Sequence, residues 1–144
     1  MEIGRELEAL GLLLRQERGR YIEKYGLKST QVQLILEIGR RPGVSQDELS
    51  ELVGVDKSNV ARQLAILEQM DYVERKIAPN NRRKLQLHLK DRGLRLLPRL
   101  QKAEENWEAT LLQDLSHWEV SQLSSLLSRL RQAAQEQQEE MFNR

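Results

Sequence analysis

The sequence predicts a mainly α-helical protein with one small β-hairpin. Three observations predict this class. Between Ser45 and Met70, two short amphipathic segments, each opened by a capping residue, are separated by Gly54. Between Tyr72 and Leu89, two short runs of strand character flank Ala78-Pro79-Asn80-Asn81-Arg82-Arg83. Outside these, long segments at both ends carry leucines at spacings of three and four, the period of a helix face.

In chain order, residues 3–25 read as one long helix. Ile3, Leu7, Leu10 and Leu14 form a stripe, with Leu13 and Ile22 beside it, and Gly4, Gly11 and Gly19 weaken the helix. A stripe with no local partner is buried elsewhere, either against a second subunit or folded back on its own domain. Gly26-Leu27-Lys28 interrupts the pattern. Ser29 or Thr30 then caps a second helix with Val32, Ile35, Leu36 and Ile38 inward, ended by Gly39-Arg40-Arg41-Pro42-Gly43. Val44 adds a short strand to the hairpin sheet.

Ser45 with Glu48 is a capping box, so a third helix starts at Gln46 and turns Leu49, Leu52 and Val53 inward until Gly54 stops it. Asp56 caps a fourth, whose inward positions are Val60, Leu64, Leu67 and Ala61, ending near Met70 with Asp71 as the turn residue. Two short helices joined around a glycine make a helix-turn-helix. Strands follow at Tyr72–Ile77 and Lys84–Leu89, the second alternating apolar and polar residues. A basic-tipped hairpin beside a helix-turn-helix is a winged helix. Asp91 caps a helix from Arg92 to about Leu112, with Leu94, Leu97, Leu100, Trp107 and Leu111 along one side and Pro98 bending it. Ser116 and Glu119 open a last helix to about Gln138, with Val120, Leu123, Leu126, Leu127 and Leu130 on one face. The polar stretch after Leu130 frays or extends into solvent. The terminal helices most economically join in one dimerisation bundle. The division expected is residues 1–28 as an N-terminal dimerisation helix, 29–90 as the winged helix-turn-helix, and 91–144 as C-terminal dimerisation helices.

The chain has 144 residues and a formal net charge of only +1, but the charge is unevenly spread. Residues 56–95 hold 10 basic and 5 acidic groups, and Arg75 to Lys84 hold 5 basic and none acidic. Positive charge concentrated on the reading head is what binding to a polyanion requires. There is no cysteine, so disulfides, thiolate metal sites and thiol redox sensing are excluded. His88 and His117 are the only histidines and are far apart, so no metal or other cofactor is expected. Acid pairs such as Asp47-Glu48 and Glu104-Glu105 are consecutive, on different helix faces, and read as solvated charges. No nucleophile–base arrangement or phosphate-binding glycine loop appears, so an enzyme is not expected. Without a run of about 18 apolar residues or a signal sequence, the expectation is a cytoplasmic protein with no membrane partner.

The outward face of the fourth helix carries Lys57, Ser58, Asn59, Arg62 and Gln63, all able to hydrogen-bond. Such a face suits the floor of a DNA major groove, where arginine pairs with guanine and asparagine with adenine. Arg82 and Arg83 at the hairpin tip are placed for the minor groove, whose potential attracts arginine. Arg75 and Lys84 touch phosphates or stabilise the base of the wing. Thr30, Ser45 and Gln46 lie at helix starts, where backbone N–H groups favour phosphate oxygens; capping alone accounts equally well for Ser45.

Three stretches together resemble the multiple antibiotic resistance regulator (MarR) family: SQDELSELVGVDKSNVARQLAILEQMDYVER, PNNRRKLQLHLKDRG and LSHWEVSQLSSLLSRL. The last is similar to the family's L-S-x-x-E-x-x-x-L-x-x-L-L-x-x-L signature. The family wing reads D-x-x-D-x-R; here Ala78 and Asn81 replace both acids and Arg83 keeps the arginine. Asp71 stands for the usual glycine after the recognition helix, and Lys90 for the usual threonine at the wing's exit. The resemblance implies a homodimeric regulator of transcription, a repressor on a pseudo-palindromic double-stranded DNA operator. It also implies release by a small aromatic or anionic effector in a crevice that Arg15, Arg18, Tyr21, Tyr25 and Trp107 would line. The alternative is a winged-helix protein-interaction module that does not read DNA.

Overall fold

The computed structural model describes residues 2–144. Two units follow one another: the first extends to Glu104 and the second is Glu105–Arg144. In the first, α1 (Ile3–Ile22) is followed by a 3-10 turn at Glu23–Tyr25, so the expected 3–25 helix tightens over its last turn and closes on Gly26 at φ 68°. Then come α2 (Ser29–Arg40), α3 (Gln46–Val53), α4 (Lys57–Gln69), β1 (Val73–Ala78), β2 (Asn81–Leu89) and α5 (Asp91–Leu111), which runs across the boundary; α6 (His117–Phe142) makes up most of the second unit.

The caps of α4 and α6 form as their sequence dictates, and α3 forms half of its expected capping box, since the Glu48 carboxylate accepts the Ser45 hydroxyl rather than its backbone N–H. Ser45 Oγ accepts the Glu48 N–H, Asp56 Oδ1 accepts the Asn59 N–H, and Ser116 and Glu119 satisfy each other's backbone N–H groups. Two expected caps are displaced. Neither Ser29 nor Thr30 caps α2. Lys28 holds the N-cap position, Gln31 Oε1 accepts its N–H at 2.9 Å, and Ser29 Oγ is buried with no partner among the described residues. Asp91 is the first residue of α5 rather than its cap, since the Lys90 carbonyl accepts the Leu94 N–H. Asp71 closes α4 at φ 62°, a left-handed conformation that aspartate tolerates better than most residues with a side chain.

Antiparallel β1 and β2 pair from Val73↔Leu89 to Ile77↔Leu85, then skip to Ala78↔Asn81. The turn is therefore shorter than the expected six residues: Arg82, Arg83 and Lys84 lie within the bounds of β2, but in the irregular stretch between two registered pairs. Val44 bridges to Leu87, with Leu87 N donating to the Val44 carbonyl at 3.0 Å, so the expected short strand is one residue long.

The core of the first unit gathers Ile22, Val32, Ile35, Ile38, Leu49, Val60, Leu64, Leu67, Val73, Leu87 and Leu100, each at most 1% exposed. α5 meets this core through Gly93, Leu96 and Leu100, with Leu97 packed against it. Of the expected stripe, Leu97 and Leu100 face the core, whereas Leu94 is 54% exposed and Leu96 takes its place. The contact of Gly93 sets the rotation: a β-carbon there would press on the Tyr72 carbonyl oxygen, and only glycine lets the helix start lie this close. In the second unit α6 buries none of its residues and stays helical to Phe142, beyond the expected end.

Candidate functional site

α4 is fixed to the unit by Val60, Leu64 and Leu67, all fully buried. Because residues three and four apart share a helix face, this rotation leaves Lys57, Ser58 and Arg62 exposed and sets Asn59 and Gln63 half-buried at the edge of the same face. Lys57 Nζ lies 3.4 Å from Asp47 Oδ1, with both side chains at least 70% exposed, so this pair holds the lysine weakly.

A hydrogen-bonded chain runs under that face. Gln31, 3% exposed, accepts the Lys28 N–H and donates through Nε2 to Gln63 Oε1 at 2.9 Å. Gln63 Nε2 donates to Asn59 Oδ1 at 3.2 Å, and Arg62 Nη2 donates to the same oxygen at 3.3 Å. Sequence reasoning missed Gln31. The available signal was a polar residue on the inward stripe of α2, in line with Ile35 and Ile38.

The wing is joined to α4 by Arg75 Nε, 2.6 Å from Glu68 Oε1. Arg75 thus braces the wing base. Arg82, Arg83 and Lys84 are exposed, with no acidic side chain in ion-pair range of them among the described residues. Asn81 Oδ1 accepts the Arg83 N–H at 3.0 Å, a local brace at the position of the missing wing acid. Thr30 and Gln46 are half-buried at the starts of α2 and α3. The Ser45 hydroxyl is occupied by Glu48, through both the backbone N–H and a 3.0 Å contact to Oε1.

Two of the residues expected to line an effector crevice, Arg18 and Tyr21, meet on one carboxylate. Arg18 Nε lies 2.6 Å from Glu104 Oε1, and Tyr21 Oη donates to the same oxygen. Glu104 is therefore not the solvated charge its neighbourhood in the sequence implies; its side chain is 26% exposed. Burial alone would push its carboxyl up, but hydrogen bonds from Arg18 and Tyr21 and the charges of Arg18 and Arg40 outweigh that and hold it below the usual range. Burial, then the bond to Glu104, pushes the Tyr21 hydroxyl well up, so it stays neutral. Burial disfavours the Arg18 charge, and Glu104 and Tyr21 more than restore it. Arg15 is exposed and Tyr25 packs against the core with Lys24 Nζ 5.1 Å above its ring. Trp107 belongs to the second unit.

Of the expected dimer stripe in the first unit, Ile3, Leu7 and Leu10 are 39–49% exposed and Leu14 is half-buried. On α6 Leu123, Leu126, Leu127 and Leu130 are 37–50% exposed. No group of three metal-ligating side chains occurs among the described residues, and no helix is long and apolar enough to cross a membrane.

A model of the MarR family matches residues 25–84, from the end of the 3-10 turn after α1 into the wing. The transcriptional repressor MprA of Escherichia coli strain K12 is 30% identical over 129 residues, covering 85% of this chain and 73% of that protein. A crystal structure of MarR superposes with a TM-score of 0.81 at 33% identity, over 97% of this chain and 95% of that one. A putative MarR family transcriptional regulator from Listeria monocytogenes, crystallised with a 26mer DNA, shares the fold with a TM-score of 0.88 at 20% identity, over 92% of this chain and 89% of that one.

Proposed function

The chain belongs to the MarR family, and from that premise we propose that it is a DNA-binding repressor of transcription, a homodimer on a pseudo-palindromic operator and not an enzyme. The observation that carries this is the reading head. Lys57, Ser58 and Arg62 stand on a solvent-facing helix beside a wing whose Arg82, Arg83 and Lys84 have no acidic partner among the described residues. In this reading Asn59, Arg62 and Gln63 meet base edges, and Ser58 meets either a base or a phosphate. Lys57, Lys84, Thr30, Ser45 and Gln46 face phosphates, and Arg82 and Arg83 enter the minor groove.

The exposed leucines of α1 and α6 are the surfaces a second copy would cover. Two recognition helices related by the dimer axis then meet half-sites about 34–36 Å apart. A small aromatic or anionic effector would act at Arg18 and Tyr21, whose present partner, Glu104, is itself a carboxylate that an anion can replace. Residues 1–28 and 91–144 serve dimerisation and 29–90 the DNA, in the cytoplasm where the DNA lies.

The test is selection of duplexes from a randomised pool by the purified protein, with light scattering on the same sample. The expected result is an inverted repeat bound by a dimer, with affinity falling steeply as salt rises. Enrichment of no sequence would remove the DNA reading in favour of a protein-interaction module, and a monomer at micromolar concentration would remove the symmetric operator.

A further inference from the structure

The polar chain beneath the recognition face has a fixed direction, and its two ends set it. At the buried end, the Lys28 backbone N–H is only a donor, so Gln31 must turn Oε1 toward it. Gln31 Nε2 is then left to face Gln63, which must answer with Oε1 and pass its own Nε2 to Asn59. At the exposed end, Arg62 is only a donor, and it too requires the oxygen of Asn59. Both ends therefore demand one arrangement of three amides. Gln31 and Gln63 relay a donor, and Asn59 Oδ1 receives two.

From this polarity we infer that Gln31, a core residue out of reach of any groove, is a specificity-determining positioning residue for the recognition helix. The inference rests on the DNA reading proposed above. With its oxygen engaged from behind, Asn59 presents its Nδ2 amide as the free group, and Arg62 presents its remaining N–H donors beside it. Two adjacent donor groups match base edges that offer acceptors, such as guanine O6 and N7. Gln31 is 3% exposed and four residues before Ile35 on the buried stripe, so its own amide cannot swing out to reverse the order. Burying an amide costs free energy unless it is bonded, and here both of its polar ends are used to orient the readers.

The test compares the full-length protein with Gln31→Met, which keeps the volume and removes the relay. Duplexes are selected from a randomised pool with each, and affinities are then measured on the parent's selected duplex and on a random one, alongside thermal unfolding. The expected result is an operator preference lower by about tenfold, the discrimination of one base contact, with random-duplex affinity unchanged within twofold. Adding Gln31→Met to Asn59→Ala should then lower the preference no further, because Gln31 acts through Asn59. Should Gln31→Met fail to fold, Gln31→Glu keeps the acceptor for Lys28 and replaces the donor to Gln63 with a charged acceptor, which opposes the relay, with at least the same loss of preference expected. An unchanged preference, or equal weakening on both duplexes, overturns the positioning role while leaving DNA reading intact. If the parent itself selects no sequence, the DNA reading fails and this role with it.

Discussion

Replacing Glu104 should destabilise the protein more than its place in a run of consecutive glutamates would indicate. Its Oε1 is the shared acceptor for Arg18 Nε, at 2.6 Å, and Tyr21 Oη. The Arg18 and Glu104 side chains are 17% and 26% exposed, between an exposed ion pair worth about 0–1 kcal/mol and a buried one whose rupture costs about 3–5 kcal/mol. Glu104→Leu removes the acceptor and leaves a mostly buried guanidinium and a phenol unpaired, for a loss of about 3 kcal/mol. Glu104→Gln keeps an oxygen in place without its charge; charge-assisted bonds are about twice as strong as neutral ones, so it should lose about half as much. Urea unfolding at fixed protein concentration measures both. The two variants also separate by pH. The folded carboxyl titrates below its ordinary value of 4.5, so the unfolded chain takes up the proton first. The stabilisation from its charge is present above 4.5 and is lost as pH falls through the folded value. The gap between the parent and Glu104→Gln should therefore be constant above that pH and narrow below it. If Glu104→Leu lies within 0.5 kcal/mol of the parent, or the gap widens in acid, the contacts of Glu104 with Arg18 and Tyr21 do not stabilise the fold, since about 0.5 kcal/mol is what an indifferent surface change produces.

Arg62→Ala should lower affinity for selected DNA far more than for random DNA, whereas Lys57→Ala should weaken both and flatten log affinity against log salt by about one unit per lost phosphate contact. A salt titration of both variants on both duplexes decides between these roles, and equal weakening by Arg62→Ala would make it a phosphate clamp. Gly93→Ala should cost about 1–3 kcal/mol or more in chemical unfolding, because its β-carbon meets the Tyr72 backbone oxygen and Leu89. Gly19→Ala, with nothing within 4 Å of the added carbon in mid-helix α1, should instead stabilise by about 0.5–1 kcal/mol.

The features legible in the sequence are those in which cause and effect lie within a helical turn or a strand pair. Ser45 with Glu48, Asp56 with Asn59 and Ser116 with Glu119 act over three residues, so the starts of α3, α4 and α6 follow from local hydrogen bonding alone. The period of Val60, Leu64 and Leu67 likewise dictates which side chains of α4 face outward. Hydrophobic periodicity names a face but not the surface it meets, and there the sequence stops. On α5 the period finds Leu97 and Leu100, but only the approach of Gly93 to Tyr72 fixes the rotation that turns Leu96 inward and Leu94 out. Arg82 and Arg83 read as turn because Pro79 and Asn80 dominate the local signal, while the pairing of Asn81 with Ala78, beyond Ile77↔Leu85, brackets them within the bounds of β2. Glu104 meets Arg18 across 86 residues, and Gln31 meets Gln63 across 32. No local pattern encodes such meetings, because a buried carboxylate or amide takes whichever donors the packed helices bring within reach. Tertiary structure alone thus decided which polar groups are free to meet a ligand and which are already spent on one another.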